Sequence, residues 1–310
     1  MARIFFFVIL CLVSSIVASG KTEAKDNKVW QPQGDARQIP IWPHGAPDME
    51  GISRPPESLK PGTQTILNVT EPTMTVYPPK GDNTGVAMVV FPGGGFRVLA
   101  MDLEGTEICD WITANGITCI LLKYRVPGGD DYWDLDCKCR ITPKILRALQ
   151  DAQRTVRLVR ASADALKIDP HKIGVIGFSA GGFLVAETSN ILKANYEAVD
   201  DIDKLSSRPD FAVAAFPGHM CTDSGKARRT NFEVTKDAPP TFLVHARDDD
   251  TNNVCNSLVY AKRLKKADVP VELHIFDKGG HAFALRKPDL PIGQWPDLVM
   301  VWLKKIGMLP

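Results

Sequence analysis

The stretch Ile173-Gly174-Val175-Ile176-Gly177-Phe178-Ser179-Ala180-Gly181-Gly182 decides how this chain folds. Its first four residues form a short apolar run of the kind buried in a parallel sheet, and a G-x-S-x-G pentapeptide follows with no spacer. A strand that delivers a serine into a glycine-flanked sharp turn lifts a weak hydroxyl clear of the fold and offers it to a base. The two glycines have a steric reason to be there. The turn brings the following helix and the neighbouring strand too close to tolerate a Cβ. Ser179 is therefore the candidate nucleophile. The same pentapeptide also occurs in ordinary glycine-serine loops, so the reading depends on the rest of the chain.

On both sides of this stretch apolar runs alternate with helical periodicities. Strands are predicted over 73–77, 86–91, 117–124, 173–176, 211–216, 241–245 and 269–276, and helices over 103–115, 144–163, 180–193, 254–266 and 294–306. In the helix over 144–163, Ile145, Leu149, Ala152, Val156 and Val159 recur at three- and four-residue steps. Repeated strand-then-helix units imply an α/β fold, a mostly parallel central sheet with helices on both faces. In such sheets functional groups gather beyond the carboxyl ends of the strands. No internal repeat or low-complexity linker divides residues 21–310, which read as one domain. Its proline- and glycine-rich start, about residues 21–70, reads as an extended arm that wraps the surface or covers one end of the site.

Residues 1–20 read as a secretory signal peptide: Arg3 is its basic region, Ile4 to Val13 its apolar region, and Ala18-Ser19-Gly20 its cleavage site. The apolar run is too short to span a bilayer. Cys11 follows Leu10, where a lipoprotein site needs a small residue. The expected location is secreted or periplasmic, with no membrane association after cleavage. The 37 Lys and Arg against 36 Asp and Glu give no electrostatic footprint for nucleic acid or an anionic membrane. Oligomeric state is left open. The six cysteines beyond the signal, Cys109, Cys119, Cys137, Cys139, Cys221 and Cys255, permit disulfides in an exported chain. Cys109 lies on a helical pattern and Cys119 in an apolar run, so both read as small buried hydrophobes. One or two bridges are then expected among the loop cysteines. The single-residue spacer of Cys137-Lys138-Cys139 is shorter than zinc pairs use, and no metal site is expected.

Phe91-Pro92-Gly93-Gly94-Gly95-Phe96 follows the strand over 86–91 directly. Glycines at a strand end let the backbone turn its N–H groups toward a developing oxyanion, and Gly94, Gly95 and Ala180 are the candidate donors. A phosphate loop is the rival, but neither Gly-Lys-Ser/Thr nor G-x-G-x-x-G spacing is present. Among the histidines, His44 and His171 read as surface residues, and His245 and His274 fall within strand runs as core residues. His281 follows Lys278-Gly279-Gly280 after the last strand, at the same sheet edge as Ser179, and is the candidate base. His219, on another post-strand loop, is the alternative. The acid lies between nucleophile and base in hydrolases of this order, which points to Asp248-Asp249-Asp250. Its task is to hold the imidazole in the right tautomer and stabilise the imidazolium.

These residues resemble the α/β-hydrolase superfamily, and within it secreted esterases similar to acetyl xylan esterases and the BD-FAE (feruloyl esterase-like) group. The resemblance runs from Phe91 to Leu309 and rests on Pro92 to Gly95, Glu104-Gly105, Leu122 to Pro127, Asp151 to Arg154, Gly177 to Gly182, Pro239 to Asp249, Asn256-Ser257 and Gly279 to His281. It implies a Ser179–Asp249–His281 triad, with Asp248 as the alternative acid, and two-step acyl transfer without a cofactor. It also implies an ester or an acetylated saccharide as substrate. Three positions depart from the family's pattern. Asn252-Asn253 replaces a Val-Pro pair, Ala282 follows the base where glycine is usual, and Pro92 stands where many esterases carry histidine. The segment over 128–139, with Tyr132 and Trp133, reads either as an aromatic wall for a sugar ring or as a disulfide-anchored surface loop. A peptidase similar to prolyl oligopeptidases shares fold and triad order, but those carry an N-terminal propeller that an arm of roughly fifty residues cannot build. A non-catalytic binding protein on a hydrolase fold is the other reading, against which stands the retention of all three triad residues.

Overall fold

The computed structural model describes residues 29–51, 54–128, 132–134 and 138–310. The expected signal segment and Cys137 lie outside the described residues, as do the side chains of Tyr132 and Trp133. In chain order the first elements are β1 (Gln38–Pro40), β2 (Ser58–Leu59), β3 (Thr65–Leu67), β4 (Thr73–Tyr77), β5 (Ala87–Phe91), β6 (Val98–Ala100), α1 (Glu107–Ala114) and β7 (Thr118–Lys123). Next come β8 (Tyr132–Asp134), β9 (Cys139–Ile141), α2 (Leu146–Ala161), α3 (Ala163–Leu166), β10 (Ile173–Phe178) and α4 (Ala180–Asn190). The chain closes with β11 (Phe211–Ala215), β12 (Thr241–Ala246), α5 (Cys255–Lys266), β13 (Val271–Phe276) and α6 (Trp295–Lys305).

Eight strands form the central sheet in the order β1-β4-β7-β5-β10-β11-β12-β13. The strands from β7 to β13 are mutually parallel, and β4 runs against both of its neighbours. Every residue of β5, β7, β10, β11 and β12 is buried, which is why their sequences are continuous apolar runs rather than alternating ones. Alternation along β10 sorts the two helical layers. Phe178 faces Trp295 of α6 at 6.1 Å, and Trp295 in turn meets Trp111 of α1 at 5.2 Å. Gly177 faces the other way, toward Gly181 and Val185 of α4. On that side Phe183, Phe232 and Tyr260 of α5 are in series contact at 6.1 and 6.3 Å.

The described part of the N-terminal arm adds β1 to the sheet edge, Gln38 opposite Thr75. It is pinned by the Asp151-Ala152-Gln153-Arg154 stretch of α2. Trp42 Nε1 donates to Asp151 Oδ1 at 2.8 Å, and Arg154 Nε donates to the Ile41 carbonyl at 3.0 Å. Buried Arg125 also donates to Asp151, at 2.9 Å. The described part of the arm thus completes the core at one edge and is not among the described residues lining the cleft below.

Cys109 and Cys119 are not free buried thiols. They form a disulfide with Cα atoms 5.3 Å apart, because α1 packs directly on β7 and brings the two side chains together. Cystine and buried thiol occupy the same apolar surroundings, so burial pattern alone does not separate them. A second bridge, Cys221–Cys255, joins the loop after β11 to the first residue of α5. Cys139 is disulfide-bonded as well. The helix expected over 103–115 opens instead as a π-turn, Asp102–Thr106, before α1 begins.

Candidate active site

Five adjacent strands, β5, β10, β11, β12 and β13, end at one edge of the sheet, and the candidate residues stand on the loops that follow them. The nucleophile elbow is built from backbone contact. A Cβ on Gly177 would lie 2.2 Å from the Gly181 carbonyl oxygen, and one on Gly181 would lie 2.0 Å from that of Phe91. Between these glycines Ser179 adopts φ 53° and ψ −116°, a conformation costing on the order of 1–3 kcal/mol that the surroundings must impose. They do so by hydrogen bonding. Ser179 N–H donates to Ala215 O at 3.0 Å, and its carbonyl accepts from Phe183 N at 3.1 Å and Gly218 N at 3.2 Å.

Ser179 Oγ lies 3.0 Å from His281 Nε2, and His281 Nδ1 lies 2.8 Å from Asp249 Oδ2. A carboxylate accepts only, so Nδ1 carries the proton and Nε2 of the neutral ring is left to accept from the serine. Asp249 Oδ1 accepts from the backbone N–H groups of Thr251 at 2.9 Å and Asn252 at 2.7 Å. Burial alone would raise the Asp249 carboxyl. Hydrogen bonds from His245, His281 and the Asn252 N–H overturn that, and it is held far below the usual carboxylate range. The neighbouring acid does something else. Asp248 Oδ1 accepts from Gly280 N at 2.8 Å, so it steadies the loop that carries His281 rather than the imidazole itself.

The glycine loop after β5 divides its amides. Gly93 N–H donates to Glu104 Oε2 at 2.8 Å, while Gly94 and Gly95 line the cleft beside Ser179. Gly94 sits at φ 133°, and its carbonyl accepts from Arg97 N at 3.0 Å and Val98 N at 3.1 Å. Ala180 follows the nucleophile as the first residue of α4 and is buried, with its amide at the positive end of that helix. Glu104 is 3% exposed, and burial pushes its carboxyl up to about 7 despite the Gly93 N–H and the nearby His281, which favour the anion.

Three contacts at the site involve residues that sequence reading did not place there. Asn252 Nδ2 donates to Ser179 Oγ at 3.3 Å and to Phe216 O at 3.0 Å. Glu104 entered only as part of a motif. His245, read as a core histidine, is fully buried but stands 3.3 Å from Asp249 Oδ2. The four-residue step from His245 to Asp249 across a tight turn was the available signal. His219, the alternative base, lines the cleft with its ring between Phe96 at 5.5 Å and Phe183 at 5.4 Å. His44 and His171 are exposed, and His274 is half-buried against Phe242 on the sheet edge.

The cleft above Ser179 and His281 has a volume of about 850 Å³. Its lining is mixed, with Arg97, Asp223, Arg228, Asn252, Asn253 and Asn256 among its walls beside Ala100, Leu103 and Ala282. Among the described residues no group of three or more His, Cys, Asp or Glu is arranged to hold a metal ion.

A parallel sheet with a strained serine elbow at its carboxyl edge, and acid and histidine on later loops, defines an α/β-hydrolase. The chain belongs to the prolyl oligopeptidase family, whose model matches residues 148–307, and the BD-FAE model matches residues 74–216. It is 29% identical over 223 residues to an acetylxylan esterase of Xylanibacter ruminicola, covering 64% of this chain and 41% of that protein. It is 26% identical over 236 residues to endo-1,4-beta-xylanase B of Butyrivibrio fibrisolvens, covering 69% of this chain and 35% of that protein. The chain therefore spans less than half the length of these curated relatives. Among solved structures it is similar to the acetyl ester-xyloside bifunctional hydrolase of Caldicellulosiruptor lactoaceticus. That match has a TM-score of 0.68 and 31% identity, covering 88% of this chain and 97% of that one.

Proposed function

We propose that this chain is an exported serine esterase that removes short acyl groups, acetyl foremost, from carbohydrate. The observation that carries the reading is the hydrogen-bonded line from Ser179 through His281 to Asp249, with Ser179 and His281 lining a cleft of about 850 Å³. In the first step His281 Nε2 takes the Ser179 proton as Oγ attacks the ester carbonyl, and Asp249 stabilises the imidazolium. The N–H groups of Gly94, Gly95 and Ala180 receive the negative charge on the carbonyl oxygen. His281 then protonates the departing alcohol, leaving an acyl group on Ser179. Water enters, gives its proton to His281, and the sequence reverses to free the acid. No cofactor takes part.

The hydrogen-bonding side chains in the cleft, among them Arg97, Asp223, Asn252 and Asn253, support a hydroxyl-rich substrate, whose hydroxyls they can pair. The named activities of the relatives in xylan and acetyl ester hydrolysis point the same way. Export is part of the proposal and draws support from the leader-like residues 1–20 and from the bridges Cys109–Cys119 and Cys221–Cys255. The test pairs hydrolysis of 4-nitrophenyl acetate and longer-chain esters with acetate release from acetylated xylan, with Ser179→Ala as control. Acetate release that disappears in the variant is the expected result. Cleavage confined to long-chain esters would refute the carbohydrate reading. Cleavage of a proline-containing peptide amide in preference to esters would favour the peptidase reading that the family model also allows.

A further inference from the structure

We infer that His245 is a positioning residue for this hydrolysis: it is a second histidine on the acid, and with Ser257 it fixes the Asp249 carboxylate in the orientation that serves His281. The inference rests on the triad proposed above.

His245 lies in β12, completely buried, and its two ring nitrogens have different partners. Nε2 is 2.8 Å from the Asn252 carbonyl oxygen and 3.3 Å from Asp249 Oδ2. Neither partner has a hydrogen to give, so Nε2 carries the proton and shares it between them. In the neutral ring Nδ1 is then an acceptor, and the Ser257 hydroxyl, 2.8 Å away, donates to it. Ser257 is fully buried on α5, so the tautomer of His245 is set by a different element from the one that carries the acid.

The Asp249 carboxylate then receives four donors. Thr251 N and Asn252 N fill Oδ1, and the two imidazoles share Oδ2. Turning the carboxylate breaks all four at once. The oxygen that orients His281 is also the oxygen His245 engages, so His245 draws off part of the charge that makes His281 basic. Among the described residues the ionisable groups around this site are Glu104 before α1, which interacts with His281, His219 after β11, which lines the cleft, and Asp248, which accepts from Gly280 N and pairs with Lys278. Across the strand pair β13 presents Ile275 opposite His245, which carries no charge.

Three variants separate positioning from mere packing. His245→Phe keeps a flat ring and removes both nitrogens, His245→Gln restores a donor near the Nε2 position, and Ser257→Ala removes only the tautomer lock. Steady-state kinetics on 4-nitrophenyl acetate are measured, and the His281 Nδ1–H proton bonded to Asp249 is followed by NMR, which needs no turnover. His245→Phe is expected to lower kcat about tenfold with KM within about twofold, and His245→Gln to recover to within about threefold of wild type. Ser257→Ala is expected to fall between them. The His281 Nδ1–H resonance is expected to move downfield in His245→Phe, where Oδ2 accepts from His281 alone. Equal losses in the Phe and Gln variants, or an unmoved His281 Nδ1–H resonance, would overturn the inference. If His245→Phe does not fold, Gln against Ser257→Ala carries the same comparison. Wild-type protein inert toward every ester would count against the esterase reading alone, because the Nδ1–H resonance still tests the positioning.

Discussion

Replacing Glu104 by Gln should change how the stability of this protein depends on pH. The carboxyl is buried beneath the glycine loop, its Oε2 accepting the Gly93 N–H at 2.8 Å. Burial is the main cause that lifts it from its ordinary 4.5 to about 7; the nearby Asp102 adds to the rise, and Gly93 N–H and His281 oppose it. In the unfolded chain Glu104 loses its proton near 4.5, whereas the folded protein keeps it until about 7. Between those values the native state binds more protons, so stability falls as pH rises and levels off above the folded value. The difference of 2.5 pH units corresponds to about 3 kcal/mol at 1.36 kcal/mol per unit. Glutamine accepts the Gly93 N–H and does not ionise, so Glu104→Gln should lose about 3 kcal/mol less than wild type between pH 4.5 and pH 8. By the usual entropy of unfolding per residue, that is about 5 °C in Tm for a chain of 310 residues. Glu187, raised by burial to about 8, adds a fall of the same sign to both proteins and drops out of the comparison. Urea or calorimetric unfolding at the two pH values reads the difference. Parallel stability curves for wild type and variant would refute the assignment of a buried, titrating carboxyl at this position.

Three further outcomes follow from the geometry. Asp249→Asn should reduce kcat by about 10⁴-fold, as loss of the tautomer-fixing acid does, while Asp248→Asn should cost about tenfold by loosening Gly280; comparable losses would mean that the two acids are misassigned. Gly94→Ala forces a Cβ to 2.1 Å from the Val98 carbonyl oxygen at φ 133°, and should lower kcat by at least about 100-fold through a displaced oxyanion loop. In a Cys221→Ser, Cys255→Ser double variant, opening a bridge between residues 34 apart should cost about 4 kcal/mol in denaturant unfolding, by chain-entropy reasoning.

The middle of the sheet was legible because β5, β7, β10, β11 and β12 are buried throughout. Thr73–Tyr77 matches its expected bounds, and the ends of β5, β7, β10, β11 and β12 fall within about two residues of expectation. The two- and three-residue strands β1, β2, β3 and β6 were not legible. Each lies in an irregular stretch or at an edge, where too few residues alternate to set a period; among the described residues β2, β3 and β6 pair only with one another, and the segment after β1 is held by the distant Asp151 and Arg154. Chain order and post-strand position were enough to single out Ser179 and His281, which the fold brings within hydrogen-bond distance. They left Asp248 and Asp249 as alternatives, because adjacent residues on one turn differ only in direction, and direction is tertiary information. The Cys109–Cys119 bridge was misjudged, and His245, read as a core residue and fully buried, was not foreseen beside the acid, for one shared reason. An apolar neighbourhood in sequence says that a side chain is inside, not which polar partner it meets there.

The approach of Gly181 to the Phe91 carbonyl has an evolutionary corollary. Backbone atoms, not side chains, set the distance between the serine elbow and the glycine loop, so point substitutions have almost no means of retuning it. Variation in substrate choice is therefore channelled to the opposite wall of the cleft. There Met220 and Cys221 N–H groups both donate to Asn256 Oδ1, and the Cys221–Cys255 bridge ties the same two loops covalently. Selection for a new substrate would have to act on a wall that is itself cross-linked, exchanging side chains such as Thr222, Asp223 and Asn253 on a scaffold that holds its shape.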